Sequence, residues 1–226
     1  MLSAETLAPS AILIVALAIS APAFADAPSV KLTAADQQRA QSALLRRADF
    51  GRDWQGGRVA ASPLAAPGCP DFYPKESDLV VSGHADADFA VPRFDLSFDQ
   101  DVVVLASAAA VQTDFARTIQ PQLSSCLAYQ LEQEPGVTGQ AVVKAIPFPP
   151  TGDVCAAYRA VFTLKTPARQ GAPGRMVRFV SDYIYVGAGR FEYSLNLVVP
   201  YVSGDDQLIP FEAAMAQTMV RRAAAT

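Results

Sequence analysis

Histidine, tryptophan and cysteine are scarce in this chain: among 226 residues there are one His, one Trp and three Cys. A zinc site needs several His and Cys ligands, so a sequence with so few of them predicts no zinc site. The motifs Gly-x-Ser-x-Gly and His-Glu-x-x-His are absent, as is a Gly-rich phosphate loop. These absences argue against common hydrolase, metalloprotease and nucleotide-binding classes, and we expect no catalytic residues, no cofactor and no metal.

Basic residues are also sparse, and they form no run. The 18 Lys and Arg are outnumbered by 22 Asp and Glu, which gives a net charge of −4. Without a basic stripe, nucleic-acid binding is disfavoured. With 51% hydrophobic and 18% charged residues, the chain has the composition of a folded protein with a sizeable core.

The N-terminus carries an apolar run, residues 11–19, followed by Ala23-Phe24-Ala25. The run is too short to cross a bilayer as a helix, and the alanines form an A-x-A cleavage pattern. We predict that residues 1–25 are a signal peptide and that residues 26–226 are a single domain, secreted or otherwise extracytoplasmic in the cell envelope. A retained membrane anchor is the alternative. No later run is long enough for a transmembrane helix, and no Cys follows the first run to accept a lipid.

Hydrophobic spacing predicts three helical segments. Thr33 is placed as the N-cap of a helix that ends near Arg46. Residues 108–132 carry an apolar stripe that Pro121 interrupts, which predicts either a kink or two helices. A last helix begins near Pro210.

Between the helices, short apolar or alternating runs predict strands at residues 79–82, 88–94, 101–105, 140–146, 154–164, 176–186 and 190–199. Their short connections imply antiparallel pairing. The predicted class is therefore α+β, an antiparallel sheet with helices packed mainly on one face. Residues 49–78 are predicted as a long ordered loop anchored by Trp54.

The last two strands predict a sheet face that differs from the core face. A three-residue loop, Gly187-Ala188-Gly189, pairs Val186 with Arg190 and gathers the large apolar residues on one side. The opposite side is then half polar; it carries Arg178, Val180, Asp182, Ile184, Glu192, Ser194 and Asn196.

The strand at 154–164 extends this half-polar face. Placing Leu164 opposite Val177 puts its apolar set on the core side and sets Arg159 opposite Asp182, away from the long helix. We predict an ion pair there. The ligand-binding residues predicted on this face are Arg159, Arg178, Asp182 and Ile184, and a solvated face without a ligand is the alternative.

The single histidine and a group of aspartates in the first half of the chain are predicted to lie in turns or loops. His84 follows Gly83 and is predicted as a turn residue, and the acidic residues are predicted as solvated loop charges at positions 86, 88, 95, 99 and 101. A carboxylate pair for glycoside hydrolysis stays an alternative, because sequence does not give the separation of the two carboxyl groups.

An exported protein meets an oxidising compartment, so its cysteines are expected to pair. Cys126 belongs to the buried stripe of the long helix, and Cys69 sits in a loop that could cross the end of that helix. We predict a Cys69–Cys126 disulfide with Cys155 free, and Cys69–Cys155 is the rival pairing.

Several features occur together in this chain: Leu32-Thr33 with Asp36, Asp49 with Trp54, Cys69, Cys126 near the end of the long helix, and the run from Asp182 to Arg190. Taken together they resemble exported sensor-like domains of actinobacteria, which include small lipoproteins and the extracytoplasmic sensor domain of a mycobacterial receptor Ser/Thr kinase. The resemblance implies an α/β sandwich, PsbP-like in some members, with a cleft for an unidentified ligand and no catalytic residues. This chain departs from the family by lacking a lipobox Cys and a kinase, and by placing Cys155 in a predicted strand.

The function that we expect is non-enzymatic: an extracytoplasmic binding or sensor-like domain for a small or lipidic ligand or a cell-envelope partner. A structural or interaction protein of the envelope without a small-molecule site is one alternative, and a carboxylate-dependent hydrolase is another. A deep cleft would favour the binding domain, and a flat face would favour the structural or interaction protein. Two converging carboxyl groups, one with a raised pKa, would favour the hydrolase.

Cleavage after Ala25 is directly testable. N-terminal sequencing of the exported protein should begin at Asp26, because the A-x-A pattern ends at Ala25. Recovery of membrane-bound protein that begins at Met1 would contradict the prediction.

Overall fold

A computed structural model describes residues 26–64, 68–166, 174–201 and 207–225. The predicted signal peptide lies outside these residues. Within them, the strands are β1 (Ser29–Val30), β2 (Gln55–Val59), β3 (Val80–Val91), β4 (Leu96–Leu105), β5 (Val137–Ala145), β6 (Val154–Lys165), β7 (Met176–Ala188) and β8 (Phe191–Pro200). The helices are α1 (Ala34–Ala43), α2 (Ala108–Thr118), α3 (Gln122–Gln133) and α4 (Leu208–Ala224).

The strands form one sheet in the order β1-β3-β4-β8-β7-β6-β5, and β2 pairs with another part of β3. Every pairing is antiparallel except the two-residue contact of β1 with β3. The predicted α+β class with an antiparallel sheet is confirmed.

Helices cover both faces of this sheet. Ala40 of α1 and Met219 of α4 pack with Ile184 and Leu195, on what we call the α1/α4 face. Leu127 of α3 packs with Tyr158 and Tyr183 on the opposite side, and Val111 of α2 lies close to Gly187 there; we call this the α2/α3 face. Where the sequence predicted helices mainly on one face, the structure divides them two and two, because both alternating sets of strand residues contain large apolar side chains.

The helix ends follow the signals in the sequence. The Thr33 hydroxyl accepts a hydrogen bond from the Asp36 backbone amide (3.1 Å), which makes Thr33 the N-cap of α1. Pro121 separates α2 from α3, so the two-helix alternative is the one adopted. Arg222, in the last turn of α4, binds the Asp49 carboxylate with both terminal nitrogens at 2.7 Å and donates to the Leu44 carbonyl.

The first strands are longer than their apolar runs predicted. The predicted strands at 79–82 and 88–94 are one strand, β3, and the predicted 101–105 strand begins earlier, in β4. The predicted loop 49–78 also contains β2. Polar residues such as His84 and Asp99 hid the continuity, because they lie on the face opposite the apolar side chains of the same strands.

One predicted register is confirmed and one is wrong. Leu164 faces Val177 across β6 and β7, as predicted. Across β7 and β8, however, Val186 faces Tyr193 instead of Arg190. The turn consists of Gly189 and Arg190 alone, and Gly189 adopts a positive φ of 56°.

The consequence of this shift is a reversal of faces. Because the side-chain period of a strand is two, a shift by an odd number of residues turns β8 over. Leu195 and Leu197 therefore lie beside Ile184 on the α1/α4 face. The polar residues Ser194 and Asn196 lie beside Tyr185 and Tyr183 on the α2/α3 face.

Cys69 and Cys126 form the predicted disulfide, with Cα atoms 5.4 Å apart, and Cys155 is a half-buried free thiol. The bond joins the segment before β3 to α3. It lies in an apolar cluster with Phe72, Leu123 and Tyr158.

Removing this bond should destabilise the protein. The disulfide spans 57 residues, so the double substitution Cys69→Ala with Cys126→Ala should lower the free energy of unfolding by up to about 4 kcal/mol. Urea unfolding with and without reductant measures the effect. Wild type and the matched control Cys155→Ala should both lose stability on reduction, whereas the double variant should not respond. A reductant response in the double variant would contradict the pairing.

Candidate functional site

The predicted ion pair between Arg159 and Asp182 is present on the α1/α4 face. The Arg159 Nε donates to Asp182 Oδ1 at 2.7 Å, and a terminal nitrogen of the same guanidinium lies 2.5 Å from Oδ2. This two-point geometry is the strong form of an arginine–carboxylate contact. The Asp182 side chain is 0% exposed, so the pair lies in the interior.

The last helix covers this pair. Glu212 of α4 is 0% exposed and its carboxyl group interacts with Asp182. Ile184 is also fully buried, whereas Arg178 is exposed, with its guanidinium 4.3 Å from the ring centre of Tyr201. The four residues predicted to bind a ligand are therefore not gathered on an open surface, and their role in binding stays a prediction.

Glu212 is a buried acid with an unusual protonation equilibrium. Burial, and next the negative charge of Asp182, raise the pKa of Glu212 to about 9, with Arg159 opposing the shift. Neither carboxyl oxygen of Glu212 accepts a hydrogen bond. At neutral pH the stable form is the neutral acid, which can itself donate to Asp182.

A pocket of about 210 Å³ opens on the α2/α3 face, on the part of the sheet formed by β3, β4, β8 and β7. We call it the acidic pocket. Its polar and aromatic lining consists of Ser62, Asp86, Asp88, Asp99, Gln100, Asp101, Tyr183, Tyr185, Ser194 and Asn196. No Lys or Arg lines it among the residues that the structure describes.

The acidic residues of the pocket face one another in pairs. Asp86 lies directly opposite Asp101 and Asp88 opposite Asp99, across β3 and β4. Like charges opposite each other in a sheet are unfavourable. Burial and then the charge of Asp88 raise the pKa of Asp99 to about 7.

His84 lies at one end of this group. Its prediction as a turn residue is wrong, because it sits within β3 and is buried. The His84 Nε2 is 2.5 Å from Asp101 Oδ2 and 2.9 Å from Asp86 Oδ1. Burial alone would lower the pKa of His84, but the adjacent carboxylates of Asp101 and Asp86 outweigh it and raise the pKa to about 10. The imidazolium is therefore the stable form at neutral pH.

More acidic groups continue beyond His84 on the same face. Burial, and next the charge of Asp114 on α2, raise the pKa of Glu192 to about 9. Burial, again followed by Asp114, raises the pKa of Glu76 to about 8. The row of acidic side chains thus extends from the acidic pocket toward α2, and at neutral pH Glu192 and Glu76 are held there as neutral acids.

The prediction of solvated loop charges is wrong for the aspartates at 86, 88, 99 and 101. They lie on strands, and Asp86 is 6% exposed. A signal was available: His84, Asp86 and Asp88 recur at every second position, as do Asp99 and Asp101. Such spacing places side chains on one face of a strand.

No protein-family model matches the chain, and no curated protein matches it in sequence. Among solved structures, it is similar to the extracellular domain of PknH from Mycobacterium tuberculosis, with 15% identity and a TM-score of 0.46. The alignment covers 87% of this chain and 99% of that domain. That domain is of the kind that the sequence pattern resembles, and the likeness concerns the fold alone.

The buried acid of α4 predicts a pH dependence of stability. The pKa of Glu212 in the folded state lies above the ordinary value of 4.5, so the folded protein keeps a proton that the unfolded chain has released. The contribution of Glu212 to the free energy of unfolding is complete below about pH 4.5 and is lost as the pH rises toward 9.

The variant Glu212→Gln replaces the acid by a neutral group of the same shape. Urea unfolding should show it close to wild type at pH 5 and more stable than wild type at pH 9, by a difference on the order of a few kcal/mol. The matched control is Glu132→Gln, an exposed position where the amide can still accept from the Ala141 backbone, and it should follow wild type. Parallel pH curves for all three proteins would contradict the assignment.

Proposed function

We propose that the chain is a non-enzymatic extracytoplasmic binding domain whose acidic pocket holds a small organic cation. The observation that carries the proposal is the pocket lining: four carboxyl groups converge there, and no Lys or Arg lines it among the described residues. The disulfide supports the extracytoplasmic part, since such bonds persist in oxidising compartments.

Charge is the first argument for a cationic ligand. The aspartates of the pocket repel one another across β3 and β4, and His84 supplies a positive charge at one end only. Asp88 and Asp99 lie opposite each other without a basic partner among the pocket-lining residues. A positively charged group seated between them would replace repulsion by attraction in a partly buried site, where Coulomb interactions are stronger than in water.

The aromatic lining is the second argument. Tyr183 and Tyr185 are half-buried and contribute to the wall that β7 forms. Ammonium and guanidinium groups are attracted to the faces of such rings. Ser194 and Asn196 add hydroxyl and amide groups that can orient the rest of the ligand.

Size restricts the ligand further. The pocket, at about 210 Å³, is smaller than the roughly 300–1,000 Å³ of sites for drug-sized ligands. It suits an amine or diamine of a few heavy atoms. The polar lining and small volume speak against a lipid chain.

Calorimetric titration of the purified protein tests this function. Butane-1,4-diamine and propylamine should bind, whereas the uncharged butan-1-ol should not. Asp99→Asn should weaken diamine binding about tenfold or more, which corresponds to about 1.4 kcal/mol. The matched control is Asp71→Asn, an exposed aspartate outside the acidic pocket, and it should bind like wild type. Equal binding of diamine and alcohol, or full binding by Asp99→Asn, would contradict the proposal.

A carboxylate-dependent hydrolase is the second candidate, and one observation favours it. Asp88 and Asp99 face each other in the pocket, and the pKa of Asp99 is raised to about 7, as expected for a general acid. Incubation with aryl glycosides distinguishes the two functions. Turnover by wild type that is lost in Asp99→Asn would replace the binding function by an enzymatic one.

A further inference from the structure

We propose that His84, Asp86 and Asp101 form a binding site for a divalent transition-metal ion at the end of the acidic pocket. The site goes beyond the proposed function, because an organic cation would use the carboxylates of the pocket and does not need the imidazole. The three residues each offer one ligand atom, and these atoms all lie within 4.8 Å of one another. A common metal ion can therefore reach an imidazole nitrogen and two carboxylate oxygens with small side-chain adjustments.

An unsatisfied oxygen is the observation that points to an ion. The His84 Nε2 carries at most one hydrogen, and its hydrogen bond goes to Asp101. Asp86 Oδ1 faces the same nitrogen at 2.9 Å, is buried, and accepts no hydrogen bond. A buried carboxylate oxygen without a donor is costly. A metal ion that replaces the His84 proton would bind the nitrogen and both oxygens at once.

The backbone holds the three side chains in place. Asp86 and Asp101 are direct cross-strand partners on β3 and β4, and His84 lies two residues before Asp86, on the same face of β3. Sites built on strands are positioned more accurately than sites built on loops. The geometry therefore does not depend on folding of a loop around the ion.

Neighbouring groups support two of the ligands: one bonds the Asp86 carboxylate, and the other bonds the backbone of His84. The backbone amide of Ser62 donates to Asp86 Oδ2 at 2.7 Å, which leaves Oδ1 to face His84. The Gln37 side chain of α1 donates to the His84 carbonyl at 2.6 Å and accepts from the His84 backbone amide at 3.1 Å. A hydrogen bond to a ligating carboxylate, such as the one that Ser62 donates to Asp86, orients the ligand and tunes the affinity for the metal.

The donor set indicates the kind of ion. Ca²⁺ and Mg²⁺ prefer oxygen ligands alone, whereas an imidazole nitrogen with carboxylates suits Zn²⁺, Mn²⁺ or Fe²⁺. Two aspartates balance the charge of a divalent ion. The Asp101 side chain is 30% exposed toward the pocket, so water can complete the coordination. Of the common divalent ions, Zn²⁺ is expected to bind more tightly than Mn²⁺.

The test is a calorimetric titration of metal-free, untagged protein with ZnCl₂, MnCl₂ and CaCl₂. It uses the Cys155→Ala background, so that the free thiol contributes no ligand. One Zn²⁺ per chain should bind, with Mn²⁺ weaker than Zn²⁺ and Ca²⁺ weakest. His84→Gln and Asp101→Asn should each weaken Zn²⁺ binding about 100-fold or more, beyond the 10–100-fold typical of residues that only support a ligand. Asp99→Asn, a pocket carboxylate outside the triad, should retain Zn²⁺ binding.

Two measurements on the Cys155→Ala protein alone test the metal site even if one of the ligand variants fails to fold. Co²⁺ should give a visible absorption spectrum that Zn²⁺ abolishes, and Zn²⁺ should raise the melting temperature. Absence of one-to-one Zn²⁺ binding, or retention of wild-type affinity in folded His84→Gln, would overturn the site. Zn²⁺ binding without diamine binding would refute only the proposed function, and diamine binding without Zn²⁺ binding would refute only the metal site.

Discussion

Side chains in β3 and β4 alternate between the two faces of the sheet, and this alternation places the acidic pocket. Phe89, Phe98 and Val102 are buried on the α1/α4 face. Burial of each such side chain stabilises the fold by about 1.5–3 kcal/mol. The aspartates between them must then point to the α2/α3 face, whatever the repulsion among them. A slip of one residue would bury the acids beneath α1 and α4, so the apolar face holds the acidic face in position.

The aromatic residues of the α1/α4 face explain why this position is secure. The ring of Phe50 lies 4.4 Å from that of Phe89 and 5.5 Å from that of Phe98, centre to centre. Trp54 and Phe211 of α4 extend the same cluster. The segment after α1, the sheet and the last helix thus share one core. This core holds the strands of the acidic pocket in place from the opposite face of the sheet.

Two polar clusters lie on opposite faces of this sheet, and their surroundings separate their roles. On the α1/α4 face, Arg159, Asp182 and Glu212 form a group that α4 closes off from solvent. Near the acidic pocket, His84 faces two aspartates, and one of them, Asp101, is partly exposed. A closed group contributes to folding and its pH dependence, whereas an open one can also exchange its proton for another cation. Because only the group near the acidic pocket is open to solvent, we place both proposed binding sites there.

The sequence by itself determined those features that rest on local signals or on a close match of side chains: the Thr33 cap, the break at Pro121, the register of β6 with β7 and the Cys69–Cys126 bond. The register of β7 with β8 was decided only by the tertiary structure. Val-Gly-Ala-Gly-Arg permits more than one tight turn, and with apolar residues in both alternating sets the pattern favours no single face. The pocket has the same origin, because aspartates in separate runs become neighbours only when β3 and β4 pair and helices cover the other side.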